Sequence, residues 1–232
     1  MSANTEVMMR VRDLRVQLAQ DGAEILKGVS FELQAGKIFA LVGESGSGKS
    51  VTSMASMRLL PDALQITGGA VESAGVDLFD LSESQMQTVR GRQVAMIFQN
   101  AMTALNPVQT VGQQVAETLR LHTPLRGDEL RQRVVRLFTE VGIPEPRQRF
   151  DFYPHQMSGG QQQRVMIAMA LACEPRILIA DEPTTALDVT IQEQVLELIR
   201  ELTRSRQLAV LLITHDMGVV RNTADEVAVM YR

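Results

Sequence analysis

The amino-acid sequence predicts an α/β fold with a mainly parallel sheet, a β subdomain at the N-terminus and a helical insertion. Beyond Ser158, helical patterns alternate with short apolar segments at 177–180, 209–214 and 226–231. Such alternation is typical of parallel strands joined by helical crossovers. The N-terminal third instead reads as strands and turns, which indicates an antiparallel β subdomain. Between about 100 and 157 the pattern is mostly helical.

The predicted strands of the N-terminal part follow from alternation and from turn residues. Apolar and polar residues alternate over 11–18 and again over 26–33, and Asp21 with Gly22 supplies a turn between them. The apolar run 38–42 then breaks into glycines, as expected of a buried parallel strand.

The middle of the chain is predicted from helix stops and helical spacing. A helix should begin in the glycine-rich stretch and run to Leu60, where Pro61 stops it. Residues 62–99 read as mixed structure with a strand at 93–98. Asp128 can cap a further helix. The apolar residues of that helix recur at helical spacing and are Leu130, Val134, Leu137, Phe138 and Val141.

Composition excludes several classes of function. The net charge of −4 and the lack of tryptophan argue against a dedicated nucleic-acid binder. A single cysteine, Cys173, cannot form an internal disulfide, which suits a reducing compartment. No apolar run is long enough to span a bilayer, and the first residues do not resemble a signal peptide. We therefore expect any contact with a membrane to be made through a partner.

A phosphate-binding loop is predicted between the strand at 38–42 and the helix that follows. Its eight residues match the pattern G-x-x-x-x-G-K-[ST] and are Gly43, Glu44, Ser45, Gly46, Ser47, Gly48, Lys49 and Ser50. The glycines allow several backbone N–H groups to converge on phosphate oxygens at a helix N-terminus. Lys49 should reach the β- and γ-phosphates, and the Ser50 hydroxyl should ligate Mg²⁺.

Two carboxylates follow the buried strand 177–180. The C-terminal end of a strand in an open α/β sheet is where ligands bind. Asp181 is placed to hold Mg²⁺, and Glu182 is a candidate base for the attacking water. Together with the phosphate loop, these residues predict a P-loop NTPase core that hydrolyses a nucleotide.

A second anion site is predicted at the start of another helix. Ser158 can cap this helix, which should run to about Ala172, and the residues concerned are Ser158, Gly159, Gly160 and Gln161. One nucleotide rarely needs two such sites in one protein. The simplest explanation is that this site serves the γ-phosphate bound by another subunit.

The order of these motifs resembles the ABC transporter ATPase family over nearly the whole chain. In chain order the matching positions are 43–50, Gln99, the signature segment 157–161, then 177–182, 185–188 and His215. The resemblance implies ATP and Mg²⁺ as ligands and ATP hydrolysis as the activity. It also implies a dimer in which each phosphate loop faces the signature segment of the other subunit.

The same resemblance implies roles for three further residues. Gln99 would sense the γ-phosphate, ligate Mg²⁺ and link the site to the helical insertion. Asp188 would contact the opposing subunit. His215 would hold the γ-phosphate and Glu182 in a reactive arrangement.

A closer similarity is to the importers of oligopeptides, dipeptides, nickel and glutathione. It rests on four segments, which are 97–107, 153–156, 181–188 and 214–220. This similarity implies a peripheral subunit at the cytoplasmic face of the bacterial inner membrane. Its partners would be permease subunits, an identical or paralogous ATPase and, indirectly, an extracytoplasmic solute-binding protein. The cargo, whether peptide, nickel chelate or glutathione, is left open by the sequence.

The sequence departs from the family pattern in three places. Met157 stands where the family has leucine, which is a tolerable apolar exchange, and Leu18 stands where an aromatic residue would stack on adenine. The chain also ends on an expected core strand, so we expect the family's domain to continue beyond Arg232. Within 1–232 we predict one domain, with 1–99 and 158–232 as the core with its β subdomain.

Two other functions are compatible with parts of the sequence. One is an ABC ATPase of translation or DNA repair, and the other is a regulatory subunit that binds ATP without turnover. The importer-like segment after Gln99 argues against the first. The presence of Glu182, His215 and Ser158 argues against the second, because degenerate sites usually lose one of them.

Overall fold

A five-stranded sheet forms the centre of the computed structural model, which describes residues 6–99, 104–185 and 187–231. All of its strand pairs are parallel, in the order β6-β7-β8-β3-β9. Its strands are β3 (Ile38–Gly43), β6 (Val94–Ile97), β7 (Ile177–Asp181), β8 (Ala209–Thr214) and β9 (Glu226–Met230). The predicted parallel sheet is therefore confirmed, and its predicted strands are displaced by at most one residue at their ends.

A second, antiparallel sheet of four strands covers one face of the first. In the order β2-β1-β4-β5 it contains β1 (Val7–Leu18), β2 (Glu24–Gln34), β4 (Leu64–Ser73) and β5 (Val76–Asp77). The two N-terminal strands match the prediction and extend it. The ten-residue strand β4 lies in the region predicted only as mixed structure, because Gly68 and Gly69 interrupt its apolar pattern.

Eight α-helices lie within the described ranges. They are α1 (Lys49–Ser56), α2 (Glu83–Val89), α3 (Val111–His122), α4 (Gly127–Glu140), α5 (Pro146–Arg149), α6 (Gly159–Leu171), α7 (Val189–Arg206) and α8 (Met217–Thr223). The prediction that the first helix runs to Leu60 is wrong. Arg58 has a φ of 52°, and the Leu59 amide donates back to the Met54 carbonyl, so the chain leaves the helix before Pro61.

The described residues between 104 and 157 form helices and turns without any strand. Helices α3, α4 and α5 lie here, followed by a 3₁₀ turn at Pro154–Gln156. Asp128 does not cap α4, contrary to the prediction, because the helix begins one residue earlier at Gly127 and Arg126 occupies the cap position. Asp128 lies in the first turn, where its charge favours the positive end of the helix dipole.

Hydrophobic layers on both faces of the parallel sheet hold the parts together. On one face, Ile179 and Leu211 belong to a buried cluster that includes Leu14 and Val71 of the antiparallel sheet. On the other face, Leu178 and Leu212 belong to a cluster with α3, α4, α6 and α7. The helices between 104 and 157 therefore share a continuous core with the sheet. Each fully buried leucine or isoleucine in these clusters stabilises the fold by roughly 1.5–3 kcal/mol.

None of the helices in these described ranges combines the length and the hydrophobicity that are needed to traverse a bilayer.

Candidate nucleotide site

The parallel strands end at one edge of the sheet, and the predicted site residues follow these ends. Register places Val42 of β3 beside Thr214 of β8, and Asp181 of β7 beside Ile213. On the far side of β7, Ile97 of β6 lies beside Ala180. The phosphate loop 43–50 and the residues Gln99, Glu182 and His215 therefore emerge along a single edge.

Glycines shape the phosphate loop where it enters α1. Gly48 caps the helix in a left-handed conformation with a φ of 96°. A Cβ atom at this position would lie 2.6 Å from Cδ2 of Leu26 on β2, so both the backbone angle and the packing require glycine. Gly46 also has a positive φ, of 81°. The loop therefore turns sharply and directs the N-terminus of α1 towards the sheet edge.

Lys49 is held inside this loop. Its side chain is buried, and its Nζ donates to the Gly43 carbonyl at 2.8 Å and to the Glu44 carbonyl at 2.9 Å. These two bonds satisfy the ammonium group within its own loop and fix its direction. A buried ammonium needs such partners, because desolvation of an unpaired charge is costly.

Ser50 and Asp181 meet beside Lys49. Ser50 Oγ donates to Oδ1 of Asp181 at 3.1 Å, and Ser53 Oγ lies 3.4 Å from Oδ2. Burial raises the pKa of the Asp181 carboxyl, and the hydrogen bond from Ser50 offsets part of this effect. Ser53 was not among the predicted site residues. Its place, one helical turn after Lys49, was the signal in the sequence that could have indicated it.

The carboxylate of Glu182 is contacted by side chains from three segments of the chain. Gln99 Nε2 donates to its Oε2 at 2.8 Å, and the Thr185 hydroxyl donates to the same oxygen at 2.9 Å. His215 Nδ1 lies 3.0 Å from its Oε1. The structure therefore brings together the three residues that were predicted as catalytic, Glu182, His215 and Gln99, and adds Thr185 to them.

The pKa of Glu182 lies below its ordinary value. Partial burial is the largest single influence and raises the pKa. The hydrogen bonds from His215 and Thr185, with the charges of His215 and Lys49, together outweigh it. The side chain of Glu182 is 15% exposed, whereas that of His215 is 64% exposed. Glu182 is thus held as a carboxylate at the edge of the site.

The signature residues occupy a different helix end. Ser158 caps α6 by accepting from the Gln161 amide at 3.3 Å, and the Gln161 side chain accepts from the Ser158 amide at 3.1 Å. A Cβ atom on Gly160 would lie 2.6 Å from Cγ2 of Ile191 in α7. Asp188 caps α7 by accepting from the Ile191 amide at 2.9 Å. Within the described residues, the Ser158 side chain makes no hydrogen bond to the phosphate loop.

The residues of the loop fit a nucleotide phosphate with Mg²⁺. Among the residues that the structure describes, buried Ser47 Oγ has no hydrogen-bond partner, and a Cβ atom on Gly43 would lie 2.7 Å from it. This orphaned donor in a glycine-lined loop suits a phosphate oxygen. Mg²⁺ prefers one or two protein oxygens with waters and phosphates, which the hydroxyl of Ser50 and the carboxylate of Asp181 can supply. The described residues contain no cluster of three histidine, cysteine or acidic ligands that would indicate an all-protein metal site.

Comparisons with known proteins give a consistent assignment. Residues 26–185 match the family described as ABC transporter. The chain is 51% identical over 229 residues to the dipeptide transport ATP-binding protein DppD of Bacillus subtilis, and the match covers 97% of this chain and 68% of that protein. It is 50% identical over 237 residues to the glutathione import ATP-binding protein GsiA of Shigella dysenteriae, with 97% of this chain and 37% of that protein covered. The chain thus spans only part of the length of these relatives.

A solved structure with the same fold is the ATP-binding cassette MJ0796, a dimer in a post-hydrolysis state bound to ADP and Pi. It superimposes with a TM-score of 0.81 at 28% identity and covers 96% of this chain and 94% of the other. The fold, the phosphate loop and these similarities lead to one conclusion. The chain belongs to the ABC transporter family and is an ATP-binding cassette of that family.

Proposed function

We propose that this chain hydrolyses Mg-ATP at the edge of the parallel sheet. The backbone of 43–50 and Lys49 bind the phosphates, and Ser50 with Asp181 would hold Mg²⁺. Bound Mg²⁺ would neutralise charge on the phosphate oxygens during transfer. Glu182 accepts the proton of the attacking water, and Gln99 and His215 orient the γ-phosphate and the carboxylate.

The arrangement around Glu182 is the observation that carries this proposal. Its carboxylate is charged, and hydrogen bonds from three segments fix its position. Lys49 and the Ser50–Asp181 pair lie at the same sheet edge, so a phosphate bound there is close to the base. A general base is effective only when it is positioned in this way. The same observation disfavours a regulatory subunit without turnover.

The active form is proposed to be a dimer with composite sites. In the described part of the chain, Ser158 and Gln161 hydrogen-bond to each other, while the N-terminus of α6 still favours an anion. We infer that Ser158, Gly159, Gly160 and Gln161 contact the γ-phosphate bound by the other subunit, and that Asp188 contacts that subunit. The partner is a second copy of this chain or a related cassette.

The transported cargo is proposed from the relatives. Their names refer to dipeptides and glutathione. We infer that this chain drives an importer of peptides or of related small solutes, including nickel chelates. It would act on the cytoplasmic face of the inner membrane, bound to permease subunits that receive cargo from a solute-binding protein. The names of these relatives argue against the alternative, a role in translation or DNA repair.

Purification of the native protein in mild detergent, followed by mass spectrometry of the proteins that accompany it, tests the transport assignment. We expect two permeases with several membrane spans each. They should be accompanied either by a second ATPase or by this chain in excess over each permease. The control is the same purification from cells that lack this protein. Ribosomal or DNA-repair proteins without any membrane protein would contradict the transporter and leave the ATPase chemistry in place.

A further inference from the structure

The hydroxyl group of Thr185 contacts the predicted base, Glu182, and has no role in the ATP hydrolysis proposed for this site. Thr185 Oγ1 donates to Oε2 of Glu182 at 2.9 Å, on the same oxygen that accepts from Gln99. Two donors thereby occupy the lone pairs of this oxygen, while Oε1 faces His215. Thr185 differs from Gln99 and His215 because it belongs to the chain segment of Glu182 itself.

A tight turn builds this contact. The Thr185 amide donates to the Glu182 carbonyl at 3.2 Å, so residues 182–185 close a four-residue turn with Pro183 at its second position. Glu182 enters the turn in a left-handed conformation with a φ of 47°. Its own amide donates to the Ile213 carbonyl of β8 at 2.9 Å and anchors the turn to the sheet. The Thr185 hydroxyl is therefore delivered to the carboxylate by local backbone geometry.

We propose that Thr185 is a positioning residue for Glu182: its hydroxyl holds the carboxylate oriented for the attacking water. The inference rests on the proposed function, in which Glu182 is the base. Gln99 follows β6 and His215 follows β8, so their contacts depend on how other segments are placed. The contact with Thr185 instead lies within the turn that contains Glu182 itself.

The position of Thr185 also connects the base to the subunit boundary. The chain continues from Thr185 to Asp188, the cap of α7 and the residue inferred to contact the other subunit. A displacement of 185–188 in the dimer would move the hydroxyl and thus the carboxylate. Thr185 is exposed, so its hydroxyl can be altered without disturbing the core. This exposure makes substitution a clean test.

The test compares the ATPase kinetics of two variants of the intact protein with those of wild type. Thr185→Val removes the hydroxyl and keeps the side-chain shape, and Thr185→Ser restores the hydroxyl. Thr88→Val is the matched control, because Thr88 is an exposed threonine whose hydroxyl donates to the Gln85 carbonyl in α2. Glu182→Gln serves as the reference for loss of the base. The values of kcat and KM for ATP are measured at one fixed pH near neutrality.

We expect Thr185→Val to lower kcat about tenfold with KM changed less than about twofold, since misplacement of a catalytic group affects turnover more than binding. Thr185→Ser should recover kcat. Thr88→Val should match wild type.

An unchanged kcat in Thr185→Val would overturn the proposal, as would a loss that Thr185→Ser does not rescue. If the proposed ATPase function itself is wrong, the kinetics give a different result. In that case wild type shows no hydrolysis, or Glu182→Gln retains the full rate, whatever the residue at 185.

Discussion

Gly112→Ala offers a strict test of how the helical insertion is held together. Gly112 is buried in the first turn of α3, and its amide donates to the Phe150 carbonyl at 3.0 Å. The neighbouring Val111 amide donates to the Phe152 carbonyl at 2.8 Å. A Cβ atom on Gly112 would lie 2.3 Å from Cγ of Phe150 and 2.5 Å from its carbonyl oxygen. An added methyl group therefore cannot fit unless the segment around Phe150 moves away.

Two opposing effects decide how far Gly112→Ala changes the free energy of unfolding. Alanine is preferred over glycine in a helix by roughly 0.5–1 kcal/mol. Overpacking of a close contact costs roughly 1–3 kcal/mol, and each of the two backbone hydrogen bonds that weaken contributes about 1 kcal/mol. The clash therefore prevails, and we expect a net destabilisation of about 2–4 kcal/mol. In a chain of this length, 1 kcal/mol corresponds to roughly 2–4 °C in Tm.

Urea unfolding followed by circular dichroism measures this effect directly. Gly68→Ala in β4 is the control, because its Cβ atom would make ordinary contacts with the Arg15 side chain, 3.4 Å from Cδ and 3.8 Å from Cβ and Cγ. The control should change the free energy of unfolding by less than about 0.5 kcal/mol. If Gly112→Ala is as stable as wild type, the close contact between α3 and Phe150 is not part of the folded protein.

Two further predictions concern the nucleotide site. Burial raises the pKa of Asp181, so the stability associated with its protonated form is present at low pH and lost as pH rises through the folded-state pKa. Above that pH, the free energy of unfolding of Asp181→Asn, measured with urea, should therefore exceed that of wild type by about 1 kcal/mol. The variant should also lose Mg²⁺-dependent turnover. Equal stability of the two proteins at every pH would contradict this prediction. Lys49→Ala and Ser158→Arg should each abolish ATP hydrolysis alone, whereas their mixture should regain it through one intact composite site. A mixture that stays inactive would argue for self-contained sites or for an obligatory related partner.

The parallel sheet and the phosphate loop could be predicted from sequence because their signals are local. An apolar run followed by glycines and Lys49 specifies strand, loop and helix within a few residues. Ser158 was likewise predicted as a cap, and the capping box with Gln161 confirms it. In both cases the side chain and its partner lie close together in the chain.

Features that depend on distant partners or on backbone angles were missed. Strand β4 is recognisable only through its pairing with β1, since its own apolar pattern is interrupted by glycines. The early end of α1 depends on the left-handed conformation of Arg58, which cannot be predicted from an arginine at that position. The contact of Thr185 with Glu182 depends on the turn at Pro183. Residues 100–103, which follow the predicted Gln99, lie outside the described residues, as does Ala186.

The central claim is that Glu182 is the base of an ATP-hydrolysing site. Hydrolysis of Mg-ATP by wild type and by Glu182→Gln, measured in parallel with ATP binding, tests it most directly. Glutamine keeps the size of the side chain and can retain hydrogen bonds to its neighbours, but it cannot accept the proton of water. We expect ATP affinity within about threefold of wild type and turnover reduced by roughly 10²–10⁴. Turnover at the wild-type rate would contradict the account.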